Sequence, residues 1–209
     1  MGIPMSRDEK KDYQLEQIVK LVEQNEGIVR AAEIEGLGID YRRVLKFVDE
    51  GSLIRVKSGY YTTKYFDCSE EKWISRLYPD GILTMESALY AHGYLKVRPS
   101  TWSIAISKNI SKSRFNIEYP EVLPYYTEPQ VLPIGKTTCT LGDTTLDVYS
   151  KERTICDCLK YQDKLSRDDF KKGVFGYILD DKKDVEALMN IAKERKVLKK
   201  VQNIIGVWL

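Results

Sequence analysis

The stretch "GIDYRRVLKFVDEGSLIRVKSGYY", Gly38–Tyr61, decides the fold of this chain. Asp40 is a good N-cap, because its short carboxylate can accept a hydrogen bond from an amide of the first helical turn. After it, Tyr41, Val44, Leu45 and Val48 fall on one face of a helix, and Gly51 stands just past the end, where helices often close with a left-handed residue. Arg42, Arg43 and Lys46 are then left pointing away from the core. Two β-rich runs follow, Leu53–Val56 and Tyr60–Thr63, joined at Lys57, Ser58 and Gly59 as in a tight hairpin. Taken alone, this is a helix and a hairpin with solvated charges, so the surroundings must decide.

Upstream, "YQLEQIVKLVEQN" places Leu15, Ile18, Val19 and Val22 at helical spacing with charges between them, and Gly27 ends that helix. "GIVRAAEIEGLG" reads as a short extended piece, Ile28 and Val29, and a brief helix from about Arg30 to Glu35. Helix, short helix, helix and hairpin is the order of a winged helix-turn-helix.

In that arrangement the start of the third helix faces the major groove, where arginine donates two hydrogen bonds to guanine O6 and N7. Arg42, Arg43 and Lys46 become the candidates for reading bases, with Tyr41 divided between core and groove wall. Alternation sends Arg55 and Lys57 to one side of the hairpin, and with Ser58 they can grip phosphates; Tyr60 and Lys64 lie beyond. Arg30, at the positive end of the short second helix, is a further phosphate contact.

After a connector, "KYFDCSEEKW", the texture changes from about Trp73 to Tyr149. "TMESALYAHGYL" reads as a helix capped by Thr84. The short runs "TWSIAIS", "FNIEY", "EVLPYYT", "PQVLPI", "KTTCTL" and "TTLDVY" predict a small, mostly antiparallel sheet, with Gly142 and Asp143 as a hairpin turn. From Ser150 the helical period returns in four stripes, the last comprising Val197, Val201, Ile204, Ile205 and Trp208. The fold class is α+β: a winged helix-turn-helix domain over 1–66, then a domain over 67–209 with the small sheet and a C-terminal helical bundle. The apolar tail "IIGVWL" must be buried in the fold or against a partner.

Composition narrows the function. Apolar residues make up 43% and charged ones 31%, and 33 basic against 31 acidic residues leave a net charge of +2. That balance excludes a polybasic coating protein but permits local basic patches. From Lys151 to Leu209 fourteen basic residues face ten acidic ones, and "KERKVLKK" reads chiefly as the solvated side of an amphipathic helix. With neither a signal-peptide layout nor an apolar run long enough to span a bilayer, a cytoplasmic location without membrane contact is expected.

Catalysis finds little support. "VLPIGKTT" has Gln130 where a phosphate-binding loop needs its first glycine, and β-rich residues follow where a helix is required. With His92 as the only histidine, no Gly-x-Ser-x-Gly elbow and no acidic metal cluster, neither a catalytic site nor a metal or cofactor is expected. Cys68, Cys139, Cys156 and Cys158 lack the spacing of a zinc or redox motif and read as small hydrophobes.

The stretch "EGIVRAAEIEGLGIDYRRVLKFVDEGSLIRVKSGYY", Glu26–Tyr61, resembles the N-terminal winged helix of AbiEi-type antitoxins. "LTMESALYAHGY" is similar to that family's "hS-x-x-S-A-L-x-x-H-G" helix, and "YSKERTICDCLKY" to its "S-x-E-R-T-h-x-D-h-h" helix start. The resemblance implies an antitoxin of a type IV toxin–antitoxin system linked to phage defence, acting against an AbiEii-like nucleotidyltransferase toxin without a stable complex. It also implies repression of its own operon through inverted repeats in promoter DNA, with antitoxicity in the C-terminal part. The alternative is a winged-helix module that docks on a partner protein without specific DNA recognition.

Overall fold

The computed structural model describes residues 5–63 and 69–208. Lys64 and Cys68 therefore lie outside the described residues. The chain forms two compact units, Met1–Leu77 with Asn116–Tyr119, and Tyr78–Phe115 with Pro120–Leu209.

In the first unit α1 spans Arg7–Gln24 and opens with a capping box in which Ser6 and Glu9 satisfy each other's backbone amides. A two-residue strand β1, Val29–Arg30, leads into α2, Ala31–Glu35, and then α3, Tyr41–Asp49. The hairpin follows as β2, Ile54–Lys57, and β3, Tyr60–Thr62. All three strands form an antiparallel sheet in the order β1-β3-β2, with Val29 opposite Tyr61. Gly59 makes the turn possible at φ +78°, which a side chain would strain, and its carbonyl accepts from the Ala31 amide at 2.9 Å.

Ile18 and Val22 of α1 meet Ile34, Val44, Phe47, Leu53 and Tyr61 in one buried cluster. Phe47 belongs to the buried face of α3, whereas the expected Leu45 and Val48 are only half-buried and Tyr41 is exposed. Truncating a fully buried phenylalanine to alanine costs about 3–5 kcal/mol, so Phe47 anchors α3 more firmly than the residues flanking it. A fourth helix, α4 at Glu70–Leu77, occupies part of the expected connector. Trp73, Ile74 and Leu77 already carry its spacing, after an acidic first turn.

The second unit is built on a five-stranded sheet, β4 Ile82–Leu83, β5 Trp102–Ser107, β6 Val122–Thr127, β7 Lys136–Leu141 and β8 Thr144–Tyr149. Its order is β6-β5-β4-β8-β7. The α+β class holds, and the pairing within this sheet is evenly mixed: β4–β5 and β7–β8 run antiparallel, β5–β6 and β4–β8 parallel. The two-residue β4 carries no alternation to read, yet it is the central strand.

Two expected strands are absent. "FNIEY" ends a short 3-10 turn and continues irregularly, and "PQVLPI" is a run of turns, where Pro129 and Pro133 offer no backbone donor to a ladder. The carbonyls of Val131 and Ile134 instead accept from Arg153 Nη1 at 2.9 and 2.6 Å.

Helix α5, Met85–Ala91, packs on β5, and α6 Lys151–Lys160, α7 Arg167–Ile178, α8 Val185–Glu194 and α9 Leu198–Ile204 form the helical bundle. The segment that begins "SKERT" is the pivot of this unit. Ser150 caps α6, and the Glu152 carboxylate accepts from the Asp184 amide at the start of α8. Asp157 takes Arg153 Nε on one oxygen at 2.9 Å and Arg195 Nε on the other at 2.6 Å, all three residues being buried. Arg195 was expected on a solvated helix face; its pairing with Asp157 explains why it is inside. Gly135, at φ +72°, lies so close to Arg153 that an added Cβ would come within 2.6 Å of the Arg153 Cβ.

Candidate nucleic-acid interface

Asp40 caps α3 as expected, its Oδ1 accepting from the Arg43 amide at 2.9 Å. With Val44 and Phe47 turned inward, Arg42 and Lys46, one helical turn apart, are exposed on the opposite side. Neither is engaged in an ion pair among the described residues, so both guanidinium and ammonium remain in water. Arg43 is half-buried. Tyr41 is 42% exposed, and its hydroxyl neighbours that of Tyr61 on β3. Burial, then the Tyr41 neighbour, raise the Tyr61 phenol above its ordinary value, while Arg55 opposes them. The start of α3 and the strand β3 therefore meet at this tyrosine pair.

The hairpin divides its cations differently from simple alternation. Arg55 is exposed and reaches Ser58 Oγ with Nη2 at 3.4 Å at the wing tip. Lys57 was expected on the same side; instead it is buried, with Nζ donating to the Leu77 carbonyl at 2.7 Å and lying 4.6 Å from the centre of the Tyr60 ring. The cause is an irregularity in register: Arg55 pairs with Tyr61 and Lys57 with Tyr60, so Val56 is the extra residue of a bulge. One extra residue reverses the side on which the next side chain emerges. A basic residue two places from another in a hairpin gives no sign of such a bulge, and α4, which supplies the carbonyl, was itself not foreseen.

Arg30 is exposed at the start of α2 and stands over the Tyr60 ring, 5.7 Å from its centre. Its amide donates to Glu33 Oε2 at 2.7 Å, and Glu33 is also paired with Arg76 at 3.0 Å. The α2 N-terminus is thus already occupied by a carboxylate, and only the Arg30 side chain remains to meet a phosphate.

His92, the one histidine, forms a hydrogen bond from Nε2 to the Tyr149 carbonyl at 2.7 Å, and burial lowers its pKa. Burial pushes the Cys156 thiol up to about 12 and holds that of Cys158 well above its ordinary value, which keeps both as thiols. Among the described residues no group of three or more His, Cys, Asp or Glu side chains is arranged to hold a metal, and no helix is long and apolar enough to cross a membrane.

Residues 16–64, which contain this surface, match the family model described as "Transcriptional regulator, AbiEi antitoxin". The match places that stretch among antitoxin transcriptional regulators, and the resemblance read from Glu26–Tyr61 holds there. In fold, the chain is similar to the crystal structure of the RV2827C protein from Mycobacterium tuberculosis, with a TM-score of 0.59 and 13% identity over 90% of this chain and 76% of that one. No curated protein matches the chain.

Proposed function

We propose that this protein is the antitoxin of a toxin–antitoxin system and represses its own operon by binding promoter inverted repeats through the winged helix. The observation that carries the reading is the exposed cations of the first unit, Arg42 and Lys46 on the outer face of α3 and Arg55 with Ser58 on the wing. The family match at residues 16–64 supports it.

In this reading Arg42 and Lys46 enter the major groove and hydrogen-bond base edges, while Tyr41 and Arg43 line the groove wall. Arg55, Ser58 and the Arg30 side chain hold phosphates and fix the register of the helix on the duplex. Lys57 supports the wing from inside rather than touching DNA. The 1–66 region would carry DNA recognition and the 67–209 region antitoxicity toward a nucleotidyltransferase-type toxin, with no catalysis by this chain.

A reporter placed behind the operon's own promoter tests the proposal. Expression of the protein should silence the reporter, and Arg42→Ala should restore it at equal protein level. A reporter that ignores the wild-type protein would overturn the proposal. The second reading, direct docking on a partner protein, draws on Val207 and Trp208, which are 84% and 63% exposed near the chain end. Co-purification of a stoichiometric complex that is lost on Trp208→Ser would favour it.

A further inference from the structure

The wing has a second surface. The first unit contains a cleft of about 530 Å³ alongside β2, walled on the far side by the irregular segment Asn116–Tyr119. Among the described residues strand β2 is the edge of its sheet, paired with β3 alone, so no further described strand covers this side. The volume is that of a site for a small organic molecule.

The chemistry of the walls restricts what fits. Arg55, Lys57 and Ser58 line one side, with Glu118 the only carboxylate among the described lining residues, so these walls favour an anion. Trp73 and Tyr119 supply an aromatic corner, their rings 5.6 Å apart and inclined at 69°. Tyr119 is held in place by a 2.8 Å hydrogen bond from its hydroxyl to Glu70. The Trp73 indole N–H is buried and finds no acceptor among the described residues. A buried donor without a partner is destabilising, and a ligand oxygen or ring nitrogen would satisfy it.

We propose that this cleft binds a small anion carried on a planar ring, of the kind represented by nucleoside monophosphates and aromatic carboxylates, and that its occupancy releases the protein from DNA. The ring lies against Trp73 and Tyr119 and accepts from the indole N–H, and the anionic group pairs with Arg55 and Ser58. Those are the two wing residues assigned to DNA phosphate under the proposed function, on which this regulatory step rests. An anion bound to Arg55 competes directly with that contact, and the cleft becomes the effector site of the repressor.

The test uses the full chain and calorimetric titration, without DNA, with the four common nucleoside monophosphates, salicylate and inorganic phosphate. A planar anion of one class should bind at least about tenfold more tightly than phosphate alone, since the ring contributes apolar contact that phosphate lacks. Trp73→Phe, which keeps the ring and removes the N–H, should weaken it about tenfold. Ile117→Trp, which fills the cleft from its opposite wall, should abolish binding; thermal melts establish that both variants fold. In a second arm, the tight-binding anion at saturation should weaken promoter binding by the wild type and have less effect on Trp73→Phe, whose DNA affinity without ligand stays unchanged. The proposal is overturned if no planar anion binds at millimolar concentration, if binding survives both substitutions, or if a bound anion leaves DNA affinity untouched. Because the first arm contains no DNA, failure of DNA recognition and failure of the cleft are read separately.

Discussion

Replacing Lys57 by methionine distinguishes a phosphate-gripping wing cation from a cation that holds the wing together. Methionine keeps most of the apolar stem but removes the ammonium that donates to the Leu77 carbonyl and faces the Tyr60 ring. A hydrogen bond from a charged group contributes about 1.5–3 kcal/mol, and the ring contact adds about 0.5–1 kcal/mol, so a loss of about 2–4 kcal/mol is expected. For a unit of this size each kcal/mol moves the midpoint by about 4–8 °C, and the fall should be about 8–30 °C in a calorimetric scan. The slope of log binding constant against log salt, measured on promoter DNA below the melting range, should not change. Arg55→Gln should do the opposite, lowering that slope by about 0.9 while costing no more than about 0.5 kcal/mol of stability. A Lys57→Met protein with wild-type melting and a salt slope reduced by about one would refute the burial argument.

Other perturbations probe separate parts of the chain. Arg42→Ala should cost about 1–3 kcal/mol of affinity for the specific site and relax base preference there, as read by competition with single-base variants of the site. Asp157→Leu strands the buried guanidinium groups of Arg153 and Arg195, and a loss of about 3–5 kcal/mol should appear in urea unfolding followed by circular dichroism. Burial lowers the pKa of His92 in the fold, so the unfolded chain binds the proton more readily. Stability should therefore fall as pH drops below about 6.5, and His92→Asn should flatten the stability profile in that window.

The outline of the first unit was legible because its signals are local: Asp40 caps α3, Gly51 and Gly59 sit where left-handed residues are needed, and Leu15, Ile18 and Val22 repeat at helical spacing. What was not legible depends on partners distant in sequence. Lys57 turns inward only because Val56 bulges and the end of α4 offers a carbonyl. Arg195 turns inward only because Asp157, on another helix, can accept it. The segment at 116–119 alternates like a strand yet packs with the first unit, and β4 is too short to show any period. Of the proposed DNA surface, the exposed positions Arg42, Lys46, Arg55 and Ser58 were visible from pattern alone, whereas the inward turn of Lys57 required the fold.

The central claim is sequence-specific recognition by α3 and the wing. Its most direct measurement is the ratio of affinities of the intact protein for its own promoter inverted repeat and for a shuffled duplex of the same composition, taken at one physiological salt concentration. The ratio should be at least about 10³ and should fall on Arg42→Ala. Equal affinities for the two duplexes would contradict it.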